Sequence, residues 1–161
     1  MLNVFQHLLL QNTMDRETLA GILEEIGSLL ELAGENPFKA RAYYNAARLF
    51  RGGDLDPQEL VEHGGLRDLP GIGDALVKKI TELVQTGGLA YLDSLRASIP
   101  SGLIDIMRIP GIGPRRAHTI HKKLGIGTLD ELAKACVDGR LAALTGFDEG
   151  MAREIGEYIM N

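Results

Sequence analysis

One short sequence motif, called the phrase below, occurs twice in the chain, and this repeat limits the folds open to the chain more than any other feature. The phrase is Leu69-Pro70-Gly71-Ile72-Gly73, and it returns as Ile109-Pro110-Gly111-Ile112-Gly113. An apolar segment precedes each copy and an amphipathic segment follows it. Glycine permits a tight turn with positive φ, and bare N–H groups at a helix N-terminus can hold a phosphate oxygen. The repeat therefore predicts two helix-connecting turns, each with backbone groups open to an anion.

Composition is that of a folded chain with no membrane segment. Of its 161 residues 45% are hydrophobic, enough for one ordinary domain or two small ones with a core. No apolar run is long enough to cross a bilayer. The one cysteine, Cys136, has no partner for an internal disulfide, and no signal peptide is recognisable. We therefore expect a cytoplasmic protein with no membrane partner.

Apolar residues recur with the period of a helix, and almost nothing alternates with period two. The sequence therefore predicts an all-α fold. Residues 1–13 lack a clear cap and are compatible with a short apolar helix or with a loosely packed arm. The remaining helices are predicted at 15–33, 37–51, 57–63, 74–85, 91–97, 103–108, 114–124, 129 onward and 151–160.

A third, weaker copy of the phrase follows the other two, in Leu144-Thr145-Gly146-Phe147-Asp148. Asp148 stands where the second glycine belongs, and its carboxylate would repel a phosphate. We interpret this copy as a packing element. The sequence then divides into an extension at 1–14, a helical module at 15–100 with the first phrase, and a module at 101–161 with the second and third.

Charge is distributed unevenly along the chain. The net charge of −5 argues against indiscriminate binding of nucleic acid. Residues 36–53 and 106–129, however, contain no acidic residue, and the second window includes the second phrase. A run of charge is usually a solvated face, but its coincidence with the turn favours a binding surface. The basic residues of this window are Arg108, Arg115, Arg116, Lys122 and Lys123.

The helix-hairpin-helix motif has a recognisable sequence signature. It consists of an apolar residue, Pro, Gly, a second apolar residue and Gly, followed by a helix. Two copies make a plain helix connector a poor explanation. Such hairpins hold consecutive phosphates of one strand, contacts that position a protein without reading sequence. We expect sequence-independent binding of gapped, nicked or single-stranded DNA. The candidate DNA contacts at and after the hairpins are Gly71, Gly73, Lys78, Gly111, Gly113, Arg115, Arg116, Lys122 and Lys123.

A wider resemblance extends beyond the hairpins. The stretch from Asn36-Pro37-Phe38-Lys39 to Arg48, together with Leu69 to Leu83, resembles the amino-terminal lyase domain of family X DNA polymerases, the group that contains DNA polymerase beta. The remainder, 101–160, resembles the segment that follows this domain on the fingers side. The degenerate third copy resembles bacterial members of the family. The resemblance implies a part in DNA repair at the nucleoid of a bacterium, and in base excision repair in particular.

The same resemblance implies a candidate catalytic residue. In the family a lysine on the helix after the first hairpin attacks C1′ of an abasic sugar and forms a Schiff base, and this role falls on Lys79. The 5′-phosphate pocket of the family maps onto Lys39 and Tyr43, which lie four residues apart on one helix face. Two further basic positions of the family fall on Ala75 and Tyr91 here.

The sequence also leads to expectations about bound ions and cofactors. By resemblance, hairpin carbonyls near Leu69, Ile72, Ile109 and Ile112 coordinate Na⁺ or K⁺, and no cofactor is required. His118 and His121 have ligand-like spacing without a third ligand nearby. We expect these two histidines to face a phosphate or solvent.

Alternatives to the lyase remain open at this point. The chain contains none of the metal-binding aspartates of a polymerase palm, so polymerisation is not expected from it alone. It is either the leading part of a longer polymerase, partnered by downstream polymerase domains or repair proteins, or a free-standing protein. In the second case it is a noncatalytic DNA-binding module or a protein-docking module.

Overall fold

The computed structural model describes residues 14–161 and confirms the all-α prediction, because every regular element in that range is a helix. A 3₁₀ helix at Gly65–Asp68 leads into the first turn. The alternatives for residues 1–13 lie outside the described residues. The α-helices are α1 Arg16–Leu32, α2 Pro37–Gly52, α3 Pro57–Glu62, α4 Asp74–Thr86, α5 Ala90–Ser98, α6 Ser101–Met107, α7 Gly113–Leu124, α8 Leu129–Asp138 and α9 Glu149–Met160.

Side-chain caps fix where several of these helices begin. Asp56, Thr128 and Asp148 precede α3, α8 and α9, and each accepts a hydrogen bond from a backbone N–H two or three residues later. These bonds satisfy N–H groups that have no partner within the helix. Capping explains why an acidic residue stands at position 148 of the third copy, because the Asp148 carboxylate accepts a hydrogen bond at the N-terminus of α9.

The described chain forms two compact units. The first comprises residues 14–27 and 37–94, and the second comprises 28–36 and 95–161. In the first unit the centre of the core is Leu19, Leu23, Phe50, Ile80 and Leu83, all at most 1% exposed. The predicted division into modules at residue 100 stays a prediction.

The second unit has its own apolar centre. Its innermost side chains are Ile106, Ile120, Ile126, Leu132 and Leu141, which come from α6, α7, α8 and the loops beside them. The two turns in this unit join α6 to α7 and precede α9. Among the helices at 14–161, none combines the length and the apolar character needed to cross a membrane.

Candidate nucleic-acid interface

The three copies of the phrase adopt one backbone turn. In each, the N–H of the fourth residue donates to the carbonyl of the first. The N···O distances are 3.3 Å for Ile72 to Leu69, 3.0 Å for Ile112 to Ile109 and 3.0 Å for Phe147 to Leu144. The third residue is Gly71, Gly111 or Gly146, with φ of 80°, 91° and 91°. Only glycine adopts this conformation at little cost, which explains its place in all three copies.

The second glycines of the phrase differ from one another. We expected positive φ at both, and this is wrong for Gly73, which is extended with φ −88° and ψ 178° as the N-cap of α4. Gly113 has φ 69° and is the first residue of α7. A Cβ on Gly73 would meet nothing within 4 Å. The absence of a side chain at Gly73 therefore leaves the N-terminus of α4 uncovered on its outer side.

A pocket lies beside the first turn, entirely within the first unit. Its volume is about 370 Å³. The two glycines of the turn form part of the wall, and the charged side chains of the wall are both lysines. The lining residues are Lys39, Ala42 and Tyr43 of α2, Gly71 and Gly73, Ala75, Leu76 and Lys79 of α4, and Tyr91 of α5. Three residues chosen from the sequence, Lys39, Tyr43 and Lys79, thus line one cavity.

An aromatic pair forms one side of this pocket. The Tyr43 and Tyr91 rings are stacked, with centroids 6.4 Å apart and planes inclined by 11°. The Lys79 Nζ atom lies 4.6 Å from the centroid of the Tyr91 ring, within the range of a cation–π attraction. Lys78, the preceding residue, is exposed and does not line the pocket. From the sequence Tyr91 was only a departure from a family pattern, whereas the structure makes it part of the pocket wall.

Tyr43 is held in its neutral form. Burial, and then the neighbouring Tyr91 phenol, raises the pKa of Tyr43 well above its ordinary value of 10.0. Desolvation disfavours the phenolate, which explains the direction of this change. A side-chain hydrogen bond with Tyr91 contributes to the same rise, and the protonated Tyr43 side chain lines the pocket.

The helix after the first turn begins with an acidic residue that sequence reasoning passed over. Asp74 is the first residue of α4, and its carboxylate lies 3.4 Å from an Arg67 guanidinium nitrogen. A carboxylate here interacts favourably with the helix dipole. It also places negative charge beside N–H groups that would hold a phosphate.

Around the second turn, one arginine binds the turn itself. The Arg116 Nη1 atom donates to the Gly111 carbonyl at 2.6 Å, and its guanidinium carbon lies 5.7 Å from the centroid of the Phe147 ring. Arg116 thereby links the second turn to the third. The expectation from the sequence was a phosphate contact, and in this structure the side chain supports the turn.

The other predicted cations of this region are placed differently. The Arg115 Nε atom donates to Glu31 at 3.1 Å, and the Glu31 side chain is only 13% exposed. Lys122 and Lys123 lie in the last turn of α7. The helical rise puts Lys122 about 14 Å along the axis from Gly113. The structure thus brings the two arginines to the turn and leaves the two lysines at the far end of the helix.

The two histidines of α7 are partly buried and each uses one ring nitrogen within the fold, and that they face a phosphate or solvent stays a prediction. The His118 Nδ1 atom bonds the Leu32 carbonyl at 3.1 Å, and His121 Nδ1 bonds the Ile126 carbonyl at 2.9 Å. Both rings satisfy backbone oxygens that would otherwise lack a partner. Within residues 14–161, no group of three His, Cys, Asp or Glu side chains is arranged to hold a metal ion.

Comparison with known proteins agrees with this geometry. Residues 14–89 match the Helix-hairpin-helix domain family, and residues 103–157 match the SAM-like Helix-hairpin-helix tandem family. The chain is also 30% identical over 148 residues to the DNA polymerase/3'-5' exonuclease PolX of Bacillus subtilis (strain 168), an alignment covering 89% of this chain. Over most of its length the chain is therefore similar to a part of a bacterial family X DNA polymerase.

The similarity extends over only a small part of the Bacillus relative, so it does not carry the relative's whole function over to this chain. The chain spans 25% of the length of the Bacillus relative. Each of the two matched helix-hairpin-helix regions nevertheless includes one of the two glycine turns. The tandem hairpins and the homology together support DNA binding by the chain.

Proposed function

We propose that this chain binds gapped or incised DNA, takes a 5′-phosphate into the pocket beside the first turn, and acts as a lyase on an abasic sugar. The observation that carries the proposal is the lining of that pocket. Two lysines, a tyrosine hydroxyl and an open helix N-terminus meet there, and among residues 14–161 no acidic side chain lines the cavity. Such a set of groups suits a phosphate ester with an aldehyde-bearing sugar attached to it.

Each residue has a separate part in this proposal. Lys39 and the protonated Tyr43 hydroxyl hold the phosphate, by charge and by donation of a hydrogen bond. The backbone N–H groups after Gly73 add the anion site of a helix N-terminus. The Lys79 amine adds to C1′ of the ring-opened sugar, and loss of water then leaves an imine between Lys79 and the sugar.

A second function is favoured by one contact. The Lys79 ammonium is attracted to the face of Tyr91, and it must leave that ring to reach a sugar. If it does not leave, the pocket holds a phosphate without chemistry. The chain is then a noncatalytic DNA-binding module.

Borohydride trapping distinguishes the two functions. The full chain is incubated with DNA that carries an incised abasic site, and borohydride reduces any imine to a stable covalent link. We expect a protein–DNA adduct with the wild type and none with Lys79→Ala. Lys134→Ala removes an exposed lysine of α8 that is not among the candidate DNA contacts, so this control should keep the adduct.

Binding measurements complete the test. Lys39→Ala should weaken binding of a gap with a 5′-phosphate more than binding of the same gap without it, because the phosphate charge is the proposed target. Retention of the adduct in Lys79→Ala would contradict the assignment of the nucleophile. Binding without any adduct in the wild type would leave only the noncatalytic function.

The remaining parts of the proposal concern context. We place the activity in the cytoplasm and in DNA repair, with downstream polymerase domains or repair proteins as partners. Na⁺ or K⁺ at the hairpin carbonyls remains part of the proposal. Replacement of K⁺ by a bulky organic cation at constant ionic strength should weaken DNA binding if the ion is used.

A further inference from the structure

A second, smaller pocket lies next to the second turn, within the second unit. Its volume is about 240 Å³. Ile109, the first residue of the turn, forms one wall, and Leu129 and Ile159 form others. The polar contributors are Asp105, Arg108 and Tyr158. The pocket therefore shares one residue, Ile109, with the second turn.

Tyr158 is unusual among the large apolar side chains of this chain. It is 55% exposed, although it stands on α9 beside buried neighbours such as Ile155. Within residues 14–161, Phe38, Val137 and Met160 are the other exposed large hydrophobic side chains, and none of them lines this pocket. An exposed aromatic ring over an apolar pocket offers a flat surface for stacking.

The two charged residues at the pocket have opposite signs and unused donors and acceptors. Among the described residues, the side chains of Asp105 and Arg108 make no hydrogen bond or ion pair. They are three residues apart at the end of α6, and so lie on one helix face. A phosphate would meet repulsion from Asp105, whereas a neutral group with donor and acceptor edges would satisfy both side chains.

We propose that this pocket binds one unpaired nucleobase of the strand held at the second turn. A nucleobase has a π face for Tyr158, an apolar body for the pocket walls, and edge groups for Asp105 and Arg108. An amino group of cytosine or adenine donates to a carboxylate, and guanine accepts from an arginine. Stacking tolerates every base, so the site favours single-stranded DNA over duplex with weak sequence preference. This inference rests on the proposed DNA binding, but not on the proposed lyase chemistry.

The test uses two gapped duplexes that carry the same phosphates. One has ordinary bases in a short single-stranded gap, and the other has abasic tetrahydrofuran residues there. Binding of the full chain is followed by fluorescence anisotropy. We expect the wild type to prefer the gap with bases by about 5- to 10-fold, near the lower end of what stacking of one base contributes.

Three variants identify the source of this preference. Tyr158→Ala should lose it while keeping the salt dependence of binding, because tyrosine carries no charge. Tyr158→Phe should keep it, since the ring remains. Met160→Ala, on the same helix but outside the pocket, should behave as the wild type.

The possible failures are distinguishable. Equal affinity of the wild type for the two gaps, or equal weakening of both by Tyr158→Ala, would overturn the nucleobase pocket while leaving DNA binding intact. No salt-dependent binding of either gap would overturn the proposed function itself. Arg108→Met should reduce the base preference with an unchanged salt slope, and a slope smaller by about 1 would show that Arg108 contacts phosphate and overturn its assignment to the base.

Discussion

The two glycine turns are nearly identical in backbone and differ in what surrounds them. The first turn opens on a pocket with two lysines and two tyrosines, and the helix after it starts with Asp74 and Ala75. The second turn is followed by Pro114, Arg115 and Arg116. The same phrase therefore forms the same hydrogen-bonded turn in both places, while the neighbouring side chains give the two turns different surroundings.

The arginines of the second turn also show how a binding segment is held in shape. Arg116 bonds the Gly111 carbonyl and Arg115 bonds Glu31. Leu76 and Ala75 take the corresponding places after the first turn and make no such bonds. The second turn thus has a cation of its own chain at its carbonyl, and the first turn depends on its helix and pocket for support.

The largest expected effect comes from destabilising the second unit, which contains the second turn, and leaving the first unit unchanged. A Cβ on Gly102 of α6 would collide with the carbonyl oxygen of Gly127, a backbone atom that cannot rotate away. We expect Gly102→Ala to destabilise the second unit by about 2–3 kcal/mol, as overpacking does. Urea unfolding followed by circular dichroism measures this change.

Gly21→Ala in α1 is the matched control for that substitution. A Cβ at Gly21 meets nothing within 4 Å, and its φ is not positive. Alanine should therefore stabilise that helix by about 0.5–1 kcal/mol. A wild-type stability for Gly102→Ala would mean that α6 and the Gly127 loop are less closely packed than described.

The next largest effect is expected from a variant in which the second turn is followed by the side chains that follow the first turn. Replacing Arg115 by Ala and Arg116 by Leu, the residues at the equivalent positions of the first turn, should weaken binding of DNA about 10-fold at low salt. The slope of log Kobs against log [salt] should fall by about 1–2, because each phosphate contact contributes about 0.9 to it. Anisotropy titrations at several salt concentrations measure both quantities.

The double variant Lys122→Ala, Lys123→Ala tests whether position on α7 matters. These lysines are at the C-terminal end of the helix, away from the turn. A smaller change in slope than for the arginine variant would support a contact centred on the turn. An equal or larger change would move the DNA path towards the far end of α7.

Much of this arrangement could be predicted from the sequence, and the limits have physical causes. Helical periodicity identifies buried faces, and the glycine phrase identifies the turns. A helical wheel gives the direction of Lys79 relative to its own helix, but it does not tell which side chain of another helix is opposite. Tyr91 as a partner of Lys79 was therefore missed. For the same reason the role of Arg116 at its own turn could not be read from spacing.

Histidine and glycine show a related limit. His118 and His121 have the spacing of ligands, yet each satisfies a backbone carbonyl that local sequence does not reveal. Gly73 and Gly113 occupy equivalent places in the phrase, and only Gly113 needs positive φ. The difference corresponds to where each helix begins. The helix α4 begins at Asp74, after Gly73, whereas α7 begins at Gly113 itself and continues with a proline.

A smaller effect is expected at the first turn. Asp74 stands where the second turn has Pro114, and its carboxylate lies beside the helix N-terminus. Asp74→Asn should strengthen DNA binding about 2- to 5-fold at low salt, because an exposed like charge near the phosphate is removed and salt would screen it. It should also cost about 0.3–1 kcal/mol of helix stability through the dipole. Unchanged affinity would indicate that the strand does not approach the first turn.

The smallest effect near neutral pH concerns Tyr43, and it grows only in alkali. Because the pKa of Tyr43 is raised above its ordinary 10.0, the folded state keeps this proton at a pH where the unfolded phenol loses it. The stabilisation by Tyr43 is thus complete below pH 10 and is lost as the pH rises further. Tyr43→Phe should therefore lose less stability than the wild type above pH 10, in urea unfolding at a series of pH values. Tyr158→Phe, at an exposed position, should keep the wild-type alkaline loss, and an equally steep loss in Tyr43→Phe would show that the first-turn pocket does not bury this phenol.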